Sequence, residues 1–396
     1  MAGAYRIAGK GRLTPAKTAR FTFDGEKLTG LEGDTLASAL LANGIHLTGR
    51  SFKYHRPRGI YSAGPEEPNA LMEIARDSVR RQPNVRATVQ ELYDGLKAKS
   101  QNRWPSLTVD VGAVNNLASP LFAAGFYYKT FMWPKFAWKK IYEPNIRMAA
   151  GLGSAPTEAD PESYANRFAH CDVLIVGGGL AGLIAALSVA ESGAEVILAE
   201  QNNAFGGALR SENAVKINGM SGYDWAQQTI AKLAAMPNAR LLPRTTGFGY
   251  YAQNMVAMNE LLTEHLANPS KDSPRERLWQ VRAKQVVLAT GSIERHMVFA
   301  ENDRPGVMLA GGARLYLNHY GVAVGRKVGV YAAHDGAYAA AFDLKRAGCD
   351  ILRVPRLSPV VAKPLVDGGD PRTAAPHSAA RQHSFAPRGR VWHHAP

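Results

Sequence analysis

The sequence is poor in cysteine, and Cys171 and Cys349 are the only two in 396 residues. Two isolated cysteines provide neither a disulfide framework nor a cluster motif, so we expect a reducing, cytoplasmic location. No uninterrupted apolar run approaches about 18 residues, so no membrane-spanning helix is predicted. The N-terminus has basic residues but no apolar stretch, so no secretory signal is predicted either.

Acidic residues are also scarce, and the net charge is +14. A charge of this size is typical of nucleic-acid-binding proteins, but its distribution argues against that function. Residues 1–20 carry five basic and no acidic side chains, and residues 353–396 carry seven basic and two acidic ones. Because the charge collects in the terminal segments, we expect solvated or partner-docking surfaces there and no nucleic-acid site.

The clearest motif is a β-α-β unit of about thirty residues, the size of a dinucleotide-binding unit. An apolar strand at residues 171–176 leads into the glycine-rich turn Gly177 to Gly182, and a helical segment follows. A second strand, residues 195–199, ends at Glu200. The alternative is an ordinary glycine-rich turn before a buried helix.

Each part of this unit has a physical role. Gly177 permits the tight turn, Gly179 lets a pyrophosphate approach the backbone, and Gly182 lets the helix pack against the strand. The helix N-terminus presents N–H groups to the phosphates. Glu200 is placed to accept hydrogen bonds from ribose hydroxyls and would repel a 2′-phosphate, which favours NAD or FAD over NADP.

Further backbone positions are expected around the same ligand. In flavoprotein-type folds a glycine pair follows the acidic residue, as Gly206 and Gly207 do here. Thr246 and Gly247 follow a predicted third parallel strand, residues 239–242, although a plain β-turn is an alternative for them. Residues 280–284 and 285–292 are predicted as two strands, the second ending in Ala-Thr-Gly at Gly291, which we expect near the pyrophosphate.

The N-terminal region, residues 1–95, is predicted to be a small β-grasp domain similar to plant-type ferredoxins. The sequence predicts a hairpin at residues 20–31, a helix capped by Thr35 that ends at Asn43, and return strands at 69–74 and 85–89. A ferredoxin would also need four cysteines for its iron–sulfur cluster, and this region has none. The predicted fold class is therefore α/β, with a cluster-free ferredoxin-like domain before a Rossmann-type domain.

Three other regions complete the predicted organisation. Residues 96–165 form an aromatic-rich connector that must bury its apolar area against its own chain or a partner. The dinucleotide-binding domain spans 166–325, and 326–354 form an incomplete second Rossmann-like half. Residues 355–396 have no periodicity and hold seven of the 23 prolines, so we expect a disordered or aberrant tail from a truncated or frame-shifted sequence.

Five segments carry a family resemblance: residues 20–25, 33–44, 51–59, 125–131 and 302–310. They resemble the α subunit of heterotetrameric sarcosine oxidase, over about residues 1–354. The resemblance implies a ferredoxin-like domain without a cluster, an NAD-binding domain and a folate-binding domain that is missing here. It also implies β, γ and δ partner subunits, with FAD in the β subunit and FMN at the α/β interface.

Carried onto this chain, the resemblance implies one NAD site and no catalytic residue. The candidate cofactor-binding residues are Gly177, Gly179, Leu180, Ala181, Gly182, Glu200, Gln201, Gly206, Gly207, Thr246, Gly247, Thr290 and Gly291. The expected activity of the complex is oxidative demethylation of sarcosine to glycine on a flavin of a partner subunit, and the chain alone is expected to be inactive. The alternatives are a related FAD-dependent amine, opine or hydroxyproline dehydrogenase subunit and a non-catalytic nucleotide-binding fragment.

Overall fold

The computed structural model describes residues 3–15, 17–117, 119–122, 125, 129, 131–149, 153–332 and 336–354. Three predicted regions lie wholly or partly outside the described residues. They are the tail at 355–396, a turn at His334 within the incomplete second Rossmann-like half, and part of the aromatic connector. Within the described residues, no helix is both long and apolar enough to cross a bilayer.

Strands and short helices alternate along the chain. The strands are β1 Thr18–Phe23, β2 Glu26–Leu31, β3 Gly49–Arg50, β4 Pro57–Arg58, β5 Leu71–Ala75, β6 Arg81–Arg86, β7 Leu96–Ser100, β8 Tyr164–Val176, β9 Val196–Ala199, β10 Lys216–Ile217, β11 Met220–Ser221, β12 Ala239–Leu242, β13 Thr245–Tyr251, β14 Met255–Leu261, β15 Glu276–Leu288, β16 Lys327–Gly329 and β17 Asp350–Arg353. The α-helices are α1 Leu36–Ala42, α2 Glu143–Ala149, α3 Leu180–Glu191, α4 Gly222–Ala234, α5 Ala310–Asn318 and α6 Gly336–Arg346.

The first domain is a five-stranded sheet in the order β2-β1-β7-β5-β6, with α1 buried against it. Alternate residues of β1 (Ala19, Phe21 and Phe23) face the core, as a half-buried strand requires. The side chain of Thr35 accepts a hydrogen bond from the N–H of Ser38, and the hydroxyl of Ser38 accepts one from the N–H of Thr35, which confirms the predicted helix start.

The predicted end of this domain at residue 95 is wrong. Strand β7 lies in the middle of the sheet, paired parallel to β1 and antiparallel to β5, so the domain continues to Ser100 at least. The return strands also differ slightly from the prediction, because they occupy 71–75 and 81–86 instead of 69–74 and 85–89.

The N-terminal segment is not a solvated arm. Arg6 forms a buried ion pair with Asp34 at 2.5 Å, and the N–H groups of Ile7 and Arg12 donate to the carbonyls of Gly321 and His319. Several of its basic side chains therefore belong to the folded body.

Helix α5 also differs from its predicted place, because it packs on the first domain. Tyr316 is fully buried in that domain's core, and its hydroxyl donates to the carbonyl of Ser62 at 2.8 Å. Tyr320 and Val322 join the same core. The stretch after residue 310, predicted to belong to the dinucleotide-binding domain, therefore ties the two domains together.

The second domain is a six-stranded sheet in the order β12-β9-β8-β15-β14-β13. The first four strands are parallel, and β13 and β14 extend the sheet as an antiparallel ribbon. The predicted third parallel strand is confirmed in β12. The two strands predicted at 280–284 and 285–292 are one strand, β15, because its pairing with β8 continues on both sides of Lys284 as far as Leu288.

Strands β16 and β17 pair in parallel, and α6 lies between them in the chain. This unit lies within residues 326–354, the range predicted for an incomplete second Rossmann-like half.

His319, at the end of α5, predicts how stability depends on pH. Burial, together with the charges of Arg210 and Arg12, lowers the pKa of its imidazole to about 3. The unfolded chain therefore binds a proton at His319 below pH ~6.5 while the folded chain does not, so this group costs stability as the pH falls. We expect a loss of roughly 2 kcal/mol between pH 7 and pH 5 from this group.

Denaturant unfolding of wild type and His319→Gln at both pH values measures this loss. The variant should lose less stability than wild type on acidification, because only wild type carries the titrating imidazole. Equal losses in the two proteins would show that His319 is not held neutral.

Candidate dinucleotide site

The glycine-rich turn is shaped by two positions where no side chain fits. Gly177 has φ +107°, and a Cβ there would lie 2.3 Å from the carbonyl oxygen of Ala289. A Cβ on Gly182 would lie 1.9 Å from the carbonyl oxygen of Gly177. Both contacts are with backbone, which cannot swing away. The first turn of α3 is therefore held against the ends of β8 and β15.

Gly179 has a different environment. It is the N-cap of α3, with φ −76°, and the nearest atom to a Cβ placed there is the Cα of Gly207 at 4.0 Å. None of the described residues caps α3 with a side chain. The first N–H groups of a helix have no partner within the helix, so this end presents donors and the positive end of the helix dipole. The backbone at Gly179 can therefore face an anionic group.

The glycine pair predicted to follow the acid forms the wall opposite this turn. The N–H of Gly206 donates to the carbonyl of Gly178 at 2.8 Å, and Gly206 itself has φ +114°. A Cβ on Gly207, where φ is +50°, would lie 2.9 Å from the Cα of Gly179. Two stretches of bare backbone thus face each other.

Glu200 is buried at the end of β9 and already has three hydrogen bonds. One carboxylate oxygen accepts from the N–H of Gly178 at 2.8 Å, and the other accepts from the N–H and side-chain amide of Asn202 at 2.8 and 2.7 Å. A carboxylate has about four lone-pair sites, so one further donor can be accepted. Glu200 therefore fixes the glycine turn and keeps one lone-pair site for a further donor.

The other predicted positions lie at the same end of the sheet. The N–H of Thr245, next to Thr246, donates to the carbonyl of Glu200 at 2.8 Å, and a Cβ on Gly247 would lie 3.4 Å from Val176. Thr246 and Gly247 belong to strand β13, so the alternative of a plain β-turn is wrong.

The remaining candidates are placed as follows. Thr290 and Gly291 are exposed just beyond Ala289, whose N–H donates to the carbonyl of Val176. Leu180, Ala181 and Gln201 are exposed beside the glycine turn and the end of β9.

Two residues of this arrangement were not predicted, Asn202 and Phe205. Asn202 donates to one carboxylate oxygen of Glu200, and a Cβ on Gly178 would lie 2.4 Å from the ring of Phe205. In the sequence, the run of three glycines at 177–179 was the feature that could have indicated close packing at Gly178. Nothing in the sequence around Asn202 indicated its partner.

Other chemistry is limited in this part of the chain. Burial, with the charges of Asp172 and Glu195, raises the pKa of Cys171 to about 11, so this thiol stays protonated near neutral pH. Among the described residues, no group of three or more His, Cys, Asp or Glu side chains is arranged to hold a metal ion.

Comparisons with known proteins agree with the two-domain organisation. Residues 16–103 match the family described as "2Fe-2S iron-sulfur cluster binding domain", and residues 172–270 match "FAD dependent oxidoreductase". The first match contains no cysteine, so its residues do not fit a cysteine-bound cluster.

Two relatives decide the family. Sarcosine oxidase subunit alpha of Rhizobium meliloti (strain 1021) is 52% identical over 351 residues, covering 89% of this chain and 35% of that protein. The chain is a homologue of sarcosine oxidase α subunits. The Corynebacterium sp. (strain U-96) subunit alpha is 36% identical, covering 92% of this chain and 33% of that protein. The chain thus spans about a third of the length of these relatives.

A solved structure supports the fold alone. L-proline dehydrogenase from P. horikoshii superposes with a TM-score of 0.59 at 23% identity, covering 89% of this chain and 55% of that chain. The resemblance stated from the sequence is confirmed, as are the ferredoxin-like domain and the Rossmann-like sheet. The assignment of individual site residues stays a prediction.

Gly182→Ala should destabilise the fold. Its methyl group would lie 1.9 Å from a backbone oxygen, so α3 must move away from β8, at a cost of about 3 kcal/mol. Denaturant unfolding of the purified chain measures this cost, and unchanged stability would contradict the close contact.

Gly179→Val should leave the fold intact and abolish dinucleotide binding. The Cβ has no protein atom closer than 4.0 Å, so the stability change should stay within about 1 kcal/mol, whereas the side chain occupies the space over the helix end. Unfolding and a nucleotide titration on the same preparation test both parts. Retained affinity would mean that no phosphate lies at Gly179.

Proposed function

We propose that this chain is the NAD-binding part of an α subunit in a sarcosine oxidase-type complex. The observation that carries the proposal is the pair of bare backbone stretches at Gly179 and Gly207, with Glu200 beside them. In this arrangement Gly179 and the first N–H groups of α3 would hold the pyrophosphate. Glu200 would accept a ribose hydroxyl, and Thr246, Gly247, Thr290 and Gly291 would border the ligand.

The choice between NAD and FAD depends on two different considerations. The family resemblance implies NAD in this chain, with FAD and FMN in or at partner subunits. The match of residues 172–270 to FAD-dependent oxidoreductases supports FAD as the alternative ligand of the same site. Glu200 favours either of them over NADP, since a carboxylate repels a 2′-phosphate.

This chain contributes binding rather than bond cleavage to the proposed reaction. A flavin in such a complex supplies the hydride acceptor for the N-methyl group of sarcosine. The chain's own residues bind and orient a dinucleotide, and none of them is assigned a part in breaking the C–H bond. Activity of the chain alone is therefore not expected.

Partner subunits are supported by the apolar side chains of the connector. Leu117, Trp133 and Phe136 are 84%, 82% and 79% exposed, and Trp104 and Met148 are also exposed. A cluster of large exposed apolar groups is typical of an interface. We propose that β, γ and δ subunits of a sarcosine oxidase-type complex cover part of this surface.

The ligand can be identified directly. The purified chain is examined for released nucleotide by absorbance and mass spectrometry after denaturation, and then titrated with NAD and with FAD. NAD binding without flavin absorbance supports the proposal, whereas released FAD supports the alternative. Failure to bind either dinucleotide would contradict both.

Glu200→Gln should weaken dinucleotide binding about 10-fold or more, because a hydrogen bond to a charged acceptor is lost. The matched control is Glu195→Gln, which makes the same change at the exposed beginning of the same strand. The control should bind like wild type. Equal effects of the two substitutions would remove Glu200 from the site.

A further inference from the structure

A small cavity lies between the ferredoxin-like domain and the dinucleotide-binding domain. Its accessible interior is about 70 Å³. A water molecule needs roughly 10–15 Å³ of such space, so the cavity holds about five waters or one small polyatomic ion. Its polar wall includes Glu91, Gln201, Arg210, Arg244, Glu264 and His265.

Arg210 is the feature of this wall that lacks an explanation. The residue is 4% exposed, and its Nε has no hydrogen-bond partner among the described residues. Its Nη2 has long contacts, at 3.5 Å to Asn203 and 3.4 Å to the hydroxyl of Tyr320. Among the residues described by the structure, no acidic side chain forms an ion pair with it. A buried cation without a counterion is costly, which points to a missing anionic partner.

The two carboxylates in the wall do not fill this role, because each already has its own arginine. Glu91 holds the guanidinium of Arg244 through both oxygens, and Glu264 pairs with Arg275. The positive charge of Arg210 is therefore left over.

A second group in the same wall also lacks a partner. The Nδ1 atom of His265 is buried and has no hydrogen-bond partner in the described part of the chain. Burial and the charge of Arg244 lower the pKa of His265, so its ring is neutral near pH 7 and can donate from one nitrogen. Arg210 and His265 lie on different chain segments, and both border the cavity with an unpartnered nitrogen in the side chain.

We propose that this cavity binds a free oxyanion, a phosphate or a carboxylate group, with the guanidinium of Arg210 as its main contact. The planar fork of an arginine matches two oxygens of such an anion. The cavity adjoins the proposed dinucleotide site, because Gln201 and Asn202 also line it and Arg210 ends the short 3₁₀-helix that begins at Gly207. Its oxyanion is nevertheless a ligand of its own and not a phosphate of the dinucleotide.

Thermal unfolding of the full chain with increasing inorganic phosphate tests the proposal. Sodium chloride keeps the ionic strength constant, and sulfate serves as a second oxyanion. In wild type we expect a saturable rise in Tm with phosphate and with sulfate but not with chloride. Isothermal titration calorimetry with phosphate provides a measurement that needs no variant.

Arg210→Met keeps the unbranched stem and removes the charge. It should weaken phosphate binding at least about 10-fold, and its Tm without phosphate should equal or exceed that of wild type because an unpaired buried charge is gone. Arg210→Lys should bind with intermediate affinity, and it replaces the first variant if that variant does not fold. The control Arg20→Met removes an exposed arginine of β1 and should leave the phosphate response unchanged.

Three results would overturn the proposal. The first is a wild-type Tm or titration that responds to phosphate no more than to chloride. The second is an unchanged phosphate response in Arg210→Met and Arg210→Lys. The third is that saturating NAD abolishes the phosphate response and that Arg210→Met weakens NAD binding by the same factor as it weakens phosphate binding. The oxyanion would then be a phosphate of the dinucleotide. Gly179→Val separates the two sites, because it should abolish NAD binding and leave phosphate binding intact, since Gly179 does not line the cavity.

Discussion

The close contact of bare backbones around the glycine turn determines the geometry of the second domain. The Cα of Gly182 lies against the carbonyl of Gly177, and the Cα of Gly207 lies against Gly179. A side chain at Gly182 would push α3 away from β8, and one at Gly177 would clash with the backbone that follows β15. Because the side chains of Phe205 and Glu200 fill the space beside Gly178, the open side of the turn is the one over Gly179. The direction from which a ligand could approach this turn thus follows from packing alone.

The first domain contributes to this site although it holds none of the predicted ligand contacts. Glu91 lies on the first domain and pairs with Arg244, which directly precedes β13. The N-terminal segment and α5 bind the first domain from opposite ends of the chain, through Arg6 and Tyr316. The ends of β9 and β12 are therefore held by contacts from outside the Rossmann-like sheet. A fragment containing only the second domain would lose these contacts.

Local sequence patterns predicted the two domain types. The features that were missed depend on pairing between strands that are distant in sequence. The strand-glycine-helix-acid spacing from Val173 to Glu200 is contained within about thirty residues, and its geometry follows from backbone sterics. The central position of β7 depends on its pairing with β1, which is distant in sequence, so no local pattern marked it. Strand β15 was divided at Lys284 because a charged residue resembles a break, whereas this strand simply exposes that side chain.

The charges of the site were the least predictable part, for a related physical reason. The sequence predicted Glu200 as a site residue, but whether its carboxylate is available depends on Gly178 and Asn202, which bond to it only after the chain has folded. The basic character of the chain was assigned to its ends, although Arg6 is buried there. Arg210 follows the glycine pair like an ordinary helix residue, and only the fold shows that it is buried without a counterion. Net charge counts side chains, whereas binding depends on which of them the fold leaves uncompensated.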